Sequence, residues 1–271
     1  MSTRFAGLEP ELVQSLAKGL AVIEAFGPDA PSMTLSEVAR RVGLTPGSAQ
    51  RILRTLERLG YVGSDGQRFS LRPRTLQLGY AYLSALPLAA VVQPLLTALT
   101  EATGETSYLA LLDGADVVYV ARATAKRLRR DYMSVGTRLP AHATSPGKVL
   151  MAALPPEALD GLLARVALQQ RLTPRTIADR GALTAELVQA RRRGYAVNDQ
   201  ETIMGLRSIS VPVTVGGRVA AALGMSTEVA RVTIAEMEAS FLPRLRETAA
   251  AIAAAMEARE RGESLTIAPW R

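Results

Sequence analysis

The segment from Thr34 to Arg74 constrains this 271-residue chain more tightly than any other stretch. Leu35, Val38, Ala39 and Val42 recur at three- and four-residue intervals, the spacing of one buried helical face. Gly43 stops that helix, because glycine adopts the positive φ of a helix C-terminus without a steric penalty. Thr45 is a good N-cap and Pro46 falls at the first helical position, where its missing N–H is not needed, so a second helix is predicted to start there. That helix is expected to bury Ala49, Ile52, Leu53, Leu56 and Leu59 and to turn Ser48, Gln50, Arg51, Arg54 and Arg58 outward. Gly60 ends it. Tyr61-Val62-Gly63-Ser64 and Gln67-Arg68-Phe69-Ser70-Leu71 then flank Asp65-Gly66, a pair that favours a tight hairpin turn. Two short helices and a basic hairpin make a winged helix-turn-helix.

Charge separates a DNA-reading element from an ordinary helical subdomain with arginines on its wet side. Between Thr34 and Arg74 stand eight arginines against three acids, a surplus of five, where the whole chain has a surplus of seven. Positive charge clustered on a helix-turn-helix is the footprint of phosphate binding. The expected contacts with double-stranded operator DNA are Thr45, Gly47, Ser48, Gln50, Arg51 and Arg54 on and around the second helix, with Arg68 on the wing. Gln50 and Arg51 suit base edges in the major groove, and Arg68 suits a phosphate.

Composition bounds the rest. The chain can hold one or two domains, and a pI near 10.1 suits a polyanionic partner. With no cysteine there are no disulfides and no thiol chemistry. No apolar run approaches the roughly 20 residues that span a bilayer, and Met1-Ser2-Thr3-Arg4-Phe5 lacks the basic-then-apolar start of a signal peptide. The expectation is a cytoplasmic protein without a membrane partner, cofactor or metal.

Organisation changes near Pro73. Glu11 to Phe26 reads as an opening helix with Leu12, Leu16, Leu20 and Ile23 on its inner face, and Thr75 to Leu83 as a linker helix ending before Pro87. The expected division is a head over residues 10–72, a linker over 73–87, an α/β domain over 88–260 and a tail over 261–271. In the third part Ala89 to Thr103 reads as a helix stopped by Gly104. Thr106 to Leu112 and Val117 to Ala121 form a hairpin around Asp113-Gly114-Ala115-Asp116. Tyr132 to Val135 is a further candidate strand. Pro146 to Ala153, Pro156 to Leu168 and Ala182 to Arg193 read as helices, and Tyr195 to Asp199, Ser208 to Val215 and Arg218 to Ser226 as strands. Ile234 to Arg259 is a closing helix that Pro243 bends or restarts. The fold class is α+β, a winged helix-turn-helix followed by an α/β domain of a size suited to sensing.

The opening Ser15-Leu16-Ala17-Lys18-Gly19-Leu20-Ala21-Val22-Ile23, the run from Gln50 to Tyr61, the run from Gly136 to Leu150 and Gly205-Leu206-Arg207-Ser208-Ile209-Ser210-Val211-Pro212 together resemble the IclR family of bacterial transcription regulators. The likeness spans about residues 12 to 258. It implies a winged helix joined to a GAF-like effector domain, acting as a homodimer or a dimer of dimers. Met133 to Ala141, and Asp199-Gln200-Glu201 ahead of Gly205-Leu206-Arg207-Ser208, are similar to the PcaR, PcaU and PobR branch that regulates aromatic-acid catabolism. For this branch the effector is a small carboxylate such as protocatechuate, 4-hydroxybenzoate or β-ketoadipate; a glyoxylate- or pyruvate-like acid is the alternative.

Carried across by motif, the resemblance implies an effector site at Leu128, Asp131, Leu139, Ser145, Pro146, Asn198, Leu206, Ser208, Gly224 and Ser226. Pro146 departs from the pattern by supplying no N–H, and Gly224 by lacking the hydroxyl that some members place there. A buried carboxylate needs a bidentate cation or several N–H groups. Arg122, Arg129 and Arg138 are the candidates, against a reading in which Lys126, Arg127, Arg129 and Arg130 form a solvated edge or an oligomer contact. Arg207 suits either the carboxylate or backbone carbonyls.

An enzyme with a DNA-binding head is the rival from another class, and a constitutive architectural protein is a third. The enzyme draws no support from a catalytic constellation. His142 is the only histidine and cannot build a metal site alone, so it reads as a packing or pocket-edge residue. Ser134, Ser145, Ser208 and Ser226 sit in no Gly-X-Ser-X-Gly elbow. Gly147-Lys148 lacks the earlier glycine and the following hydroxyl of a phosphate loop.

Overall fold

A computed structural model describes residues 11–85, 91–125 and 133–261, which fall into two compact units dividing after Ala85. In the first unit, α1 (Gln14–Glu24) precedes a short strand β1 (Ser32–Thr34), then come α2 (Leu35–Val42) and α3 (Pro46–Arg58). Thr34 caps α2 reciprocally: its N–H donates to the Glu37 carboxylate at 2.7 Å, and the Glu37 N–H donates to the Thr34 hydroxyl at 3.3 Å. Gly43, at φ 76°, closes α2 in the left-handed conformation. Thr45 then accepts the Ser48 N–H and Pro46 opens α3. The hairpin β2 (Val62–Ser64) and β3 (Arg68–Leu71) follows, and α4 (Leu76–Ala85) ends the unit.

Two features of this head differ from expectation. β1 completes a three-stranded sheet in the order β1-β3-β2, with Met33 opposite Phe69. The inner face of α1 is Ala21 and Val22, continued by Ala25 and Phe26, which pack with Val38, Leu53 and Leu56. Leu12, Leu16 and Leu20 are exposed, as is Leu59 of the segment after α3. The opening helix carries two apolar stripes. A core this small covers only one, and the smaller side chains fit close against α2 and α3.

The second unit begins with α5 (Gln93–Thr103), followed by β4 (Thr106–Asp113), β5 (Asp116–Ala123), β6 (Arg138–Pro140), α6 (Ser145–Ala153), α7 (Pro156–Leu163) and α8 (Arg180–Arg193). Three strands complete the sheet: β7 (Ala196–Asp199), β8 (Leu206–Val215) and β9 (Arg218–Glu228). The order is β6-β5-β4-β9-β8-β7, with antiparallel neighbours throughout. Helices α6, α7 and α8 pack on the face carrying Tyr108, Ala110, Val117 and Tyr119. The alternate residues Leu109, Ile209, Val211, Leu223 and Met225 are buried too, because α5 and the closing helix cover the other face. That helix runs as α9 (Ile234–Glu236), a π-helical turn over Met237–Phe241 and α10 (Leu242–Glu260). The widened turn sits just ahead of Pro243, where a missing N–H and ring crowding disfavour regular α-helix.

No strand forms at Met133–Val135, and Tyr132 lies outside the described residues. Instead the Ser134 N–H donates to the Thr137 hydroxyl and Gly136 takes a φ of 89°, so the chain turns before pairing with β5 from Arg138 onward. Among the described residues no helix is long and apolar enough to cross a membrane.

Candidate effector site and DNA-reading face

On the head, Gly47, Gln50, Arg51, Arg54 and Arg58 recur along α3 as one exposed stripe. Ala49, Leu53 and Leu56 hold the opposite face in the core, so the stripe is presented on a rigid support. Thr45 is exposed at the start of α3, with its hydroxyl engaged as the cap, and Ser48 is half-buried. Arg68 is placed differently from a projecting phosphate contact. Its guanidinium donates to the Ser32 hydroxyl at 3.0 Å and the Ser32 carbonyl at 2.7 Å, and pairs with Glu37 at 3.3 Å, tying β3 to β1 and α2. Beside α3, Leu16, Leu20, Ile52, Leu59 and Leu78 line an open apolar groove of about 730 Å³. Leu76, Tyr80 and Tyr82 of α4 are exposed as well.

In the second unit, strand register assembles a site from positions far apart in sequence. Asn198, Ser208 and Ser226 stand side by side across β7, β8 and β9, and Ser210, Gly224 and Tyr108 form the next row on the same face. Above these rows a narrow cavity is walled by Met133, Leu139, Ile203 and Leu206, with Tyr108, Tyr119, Thr144 and Thr202 completing the lining beside Asn198, Ser208 and Ser226. Its free volume is about 30 Å³, room for a water molecule. A benzene-sized ring needs on the order of 150 Å³, so occupancy requires side-chain movement, which the unbranched Met133 permits. Leu128 and Asp131 lie outside the described residues.

Several expected site residues serve the architecture. The Ser145 hydroxyl lies 2.8 Å from those of Ser208 and Ser210 and 3.3 Å from that of Tyr108, a closed cluster beneath the cavity. Gly224 is a packing requirement, not a lost contact: a Cβ there would stand 2.3 Å from the Ser210 hydroxyl and 2.5 Å from the Tyr108 ring. Pro146 is buried at the start of α6, where Gly147 must lack a side chain because a Cβ would meet the Ala141 carbonyl oxygen at 2.1 Å. Both N–H groups of the Asn198 amide are engaged, by the Ala143 carbonyl and the Thr202 hydroxyl, while its oxygen accepts the Glu201 N–H at 3.0 Å. Asn198 therefore fixes the loop after β7.

The arginines resolve differently from expectation. Arg138 is not on the cavity; its guanidinium lies at the surface between Asp113 at 2.5 Å and Asp116 at 3.3 Å, clamping the β4–β5 turn. Those partners push its pKa up, the Asp113 hydrogen bond foremost. Arg207 belongs to the cavity wall, but its guanidinium pairs with Asp199 at 2.5 Å and donates to the Val232 carbonyl, the anchoring role. Burial works against the Asp199 carboxylate, yet the hydrogen bond and charge of Arg207 hold it below its ordinary range. Arg122 stands opposite Tyr108 in the sheet and donates to the Met133 carbonyl. Arg129 lies outside the described residues, as do Lys126, Arg127 and Arg130.

Tyr108 and Tyr119 were not among the expected site residues, although the β4–β5 turn implies them. Counting back from Asp113 opposite Asp116 puts Tyr119 opposite Ala110, hence diagonal to Tyr108 on one face. Their rings meet edge to face at 5.1 Å. Burial raises the pKa of both phenols; for Tyr108 the hydrogen bonds from Ser145 and Ser210 oppose the shift.

Behind the cavity, three ionisable groups are buried together. Lys148, on α6, pairs with Glu201 at 2.5 Å and donates to the Val197 carbonyl at 3.1 Å. Burial pushes the Glu201 carboxyl up against the opposing pull of the Lys148 ammonium. His142 is 1% exposed with neither ring nitrogen hydrogen-bonded, and burial, then the Lys148 charge, lowers its pKa. It is a packing residue. Among the described residues no cluster of His, Cys, Asp or Glu could hold a metal ion.

Comparison with known proteins matches this geometry to relatives. Residues 15–66 match the IclR helix-turn-helix domain, and residues 80–254 match the domain described as bacterial transcriptional regulator IclR C-terminal. A Pca regulon regulatory protein of Pseudomonas putida is 44% identical over 239 residues, 88% of this chain and 82% of its own. The p-hydroxybenzoate hydroxylase transcriptional activator of Acinetobacter baylyi is 38% identical over 245 residues, 88% of this chain and 90% of its own. A crystal structure of an IclR homolog from Microbacterium hydrocarbonoxydans, complexed with 4-hydroxybenzoate, aligns with a TM-score of 0.76 at 27% identity, covering 90% of this chain and 99% of that one.

Proposed function

The chain belongs to the IclR family of bacterial transcriptional regulators, and from that premise we propose that it is a ligand-responsive regulator of an aromatic-acid catabolic operon. The observation that carries the reading is the pairing of two unlike surfaces on one chain. One unit presents an exposed Gln-Arg stripe on a capped helix; the other encloses a cavity with apolar walls and hydroxyls at its floor. The stripe, with Thr45, Gly47, Ser48, Gln50, Arg51 and Arg54, contacts operator DNA. Arg68 acts chiefly by bracing the wing. One short recognition helix reads few base pairs, so two copies bind together, and the apolar groove beside α3 with the exposed α4 side chains is the surface between them. Leu139, Leu206 and Met133 accept the ring of a small acid such as protocatechuate or 4-hydroxybenzoate, in line with what the relatives regulate or hold.

A thermal-shift screen of the full chain against aromatic and keto acids tests this reading. An aromatic acid should raise the melting temperature and, in fluorescence anisotropy on selected operator DNA, change the affinity. Leu206→Trp should remove both effects and leave operator binding intact. Stabilisation by glyoxylate or pyruvate alone would replace the aromatic assignment with the keto-acid one. No stabilisation by any acid would point to a constitutive DNA-binding protein.

A further inference from the structure

The cavity must enlarge before it holds an aromatic ring, and its walls are not equally able to give way. Tyr108, Tyr119, Ser208 and Ser226 sit on paired strands of the sheet, and Thr144 caps α6. Thr202 and Ile203 belong instead to the segment joining β7 to β8. Both feet of that segment are fastened to the interior. Glu201 is held by Lys148 at 2.5 Å, and its carbonyl accepts the Thr176 hydroxyl at 2.6 Å. Gln200 donates its N–H to the Leu206 carbonyl at 2.9 Å and accepts the Gly205 N–H on its side-chain oxygen at 3.2 Å, so the two ends are clasped together. It does so at a φ of 66°, the only positive value among the described non-glycine residues. Such a conformation persists where the surrounding structure over-determines it, as these bonds do.

Between the feet the tip is lightly held. The N–H groups of Thr202, Ile203 and Met204 donate to no group among the described residues. The Met204 side chain is 54% exposed. The Ile203 carbonyl accepts the Leu206 N–H at 3.2 Å, a bond within the segment's own turn. The Thr202 hydroxyl ties the tip to the body of the unit: it donates to the Ala143 carbonyl at 2.6 Å and accepts the Asn198 amide at 2.7 Å. Few tertiary hydrogen bonds and an exposed side chain mark the part of a fold that opens at least cost.

We propose that residues 202–204 are the yielding wall of the effector site and that Thr202 is its latch, a positioning residue whose hydroxyl holds the tip inward until a bound acid displaces it. This rests on the reading of the cavity as an effector site and adds how that site makes room. A ligand that requires the displaced tip has its affinity reduced to the fraction of molecules in which the tip is displaced. Weakening the latch therefore tightens binding, the reverse of what removing a direct ligand contact does. The fastened feet confine the movement, so β7 and β8 keep Asn198 and Ser208 in place while the tip swings out.

The chain has no cysteine, so a single introduced one reports on one place. Met204→Cys in the full chain, carrying an environment-sensitive fluorophore, should change its emission as 4-hydroxybenzoate is added, with a midpoint at the dissociation constant that calorimetry gives for the same labelled protein. The same label on Val188→Cys, exposed on α8 and away from the cavity lining, should stay constant. Unlabelled Thr202→Val keeps the shape of the side chain and loses its hydroxyl. It should bind 4-hydroxybenzoate about fivefold more tightly than wild type, the net worth of one hydrogen bond, while its ligand-free melt falls slightly. Thr202→Ser, which retains the hydroxyl, should restore wild-type affinity. Binding by Thr202→Val no tighter than wild type would overturn the latch. A Met204 label that stays constant, or that the Val188 label matches, while calorimetry shows binding would overturn the moving wall and leave the effector site standing. Should Thr202→Val fail to fold, the pair of labels decides the matter. If the wild type bound no aromatic acid, the effector reading itself would fall, and the latch with it.

Discussion

The head and the effector unit treat polar groups in opposite ways. Among the described residues every buried polar or charged side chain lies in the effector unit, including Glu105, His142, Ser145, Lys148, Asn198 and Glu201. The head buries only apolar groups around Val22, Val38, Leu53 and Val62, and keeps its arginines in water. An element that reads DNA works from its outer face and needs its interior only as a rigid support. A unit that recognises a small molecule inside itself must carry polar groups through the core, each of which has to be satisfied or left for the ligand.

The largest test of that contrast is Lys148→Met. Removing one partner of a buried ion pair leaves the Glu201 carboxylate uncompensated, a loss of roughly 3–5 kcal/mol. Urea unfolding, with hydrogen exchange reporting the two units separately, should show the effector unit weakened and the head unchanged. Adding Glu201→Leu should restore much of the loss, since a well-packed apolar pair can replace a buried ionic one. An effector unit within about 1 kcal/mol of wild type after Lys148→Met would break the contrast.

A smaller effect is expected in the head, where stability rests on local devices. Thr34→Ala removes the side-chain half of the α2 capping box and should lower head stability by about 1 kcal/mol. Exchange of the amides from Leu35 to Val42 should quicken while the effector unit stays as it was. Equal loss in both units would mean that they do not unfold independently.

The same contrast governs what could be read from the sequence. Gly43, Thr45-Pro46 and Asp65-Gly66 act on neighbours within a few residues, so the helices and hairpin of the reading element were legible one by one. The face of α1 was not, because Leu12, Leu16 and Leu20 form as regular a stripe as the one that is buried, and only the size of the core decides between them. In the effector unit most strands and helices announced themselves, the short β6 at Arg138–Pro140 excepted, but the site did not. The row Tyr108, Gly224, Ser210 joins strands separated by about a hundred residues, and periodicity within one strand does not report its neighbours. Likewise Arg138 looked available because nothing local in its own segment revealed Asp113 and Asp116 across the β5–β6 pairing.

The smallest predicted effect is a pH dependence confined to one unit. His142 is the only histidine in the chain, and the head has none. Its folded pKa is depressed from 6.5, by burial first and by the Lys148 charge second. A base depressed in the folded state contributes stability that is fully present above the unfolded pKa and is lost as pH falls from there toward the folded value. Between pH 7.5 and 6.0 the effector unit should therefore weaken by no more than about 1 kcal/mol, since unfolded imidazole titrates near 6.5. Glu105 and Glu201 act in the other sense: burial raises both, so what they contribute is present at low pH and lost as pH rises through their folded values. The difference between wild type and His142→Leu isolates the imidazole, because leucine fills similar space and the ring makes no hydrogen bond to lose. Unfolding midpoints of the effector unit should converge with the variant's at high pH and fall below them by pH 6.0, while the head's midpoint stays level in both proteins. A wild type as flat as His142→Leu across that range would show that the imidazole reaches water, and with it that the interior behind the cavity is wetter than the packing around Lys148 implies.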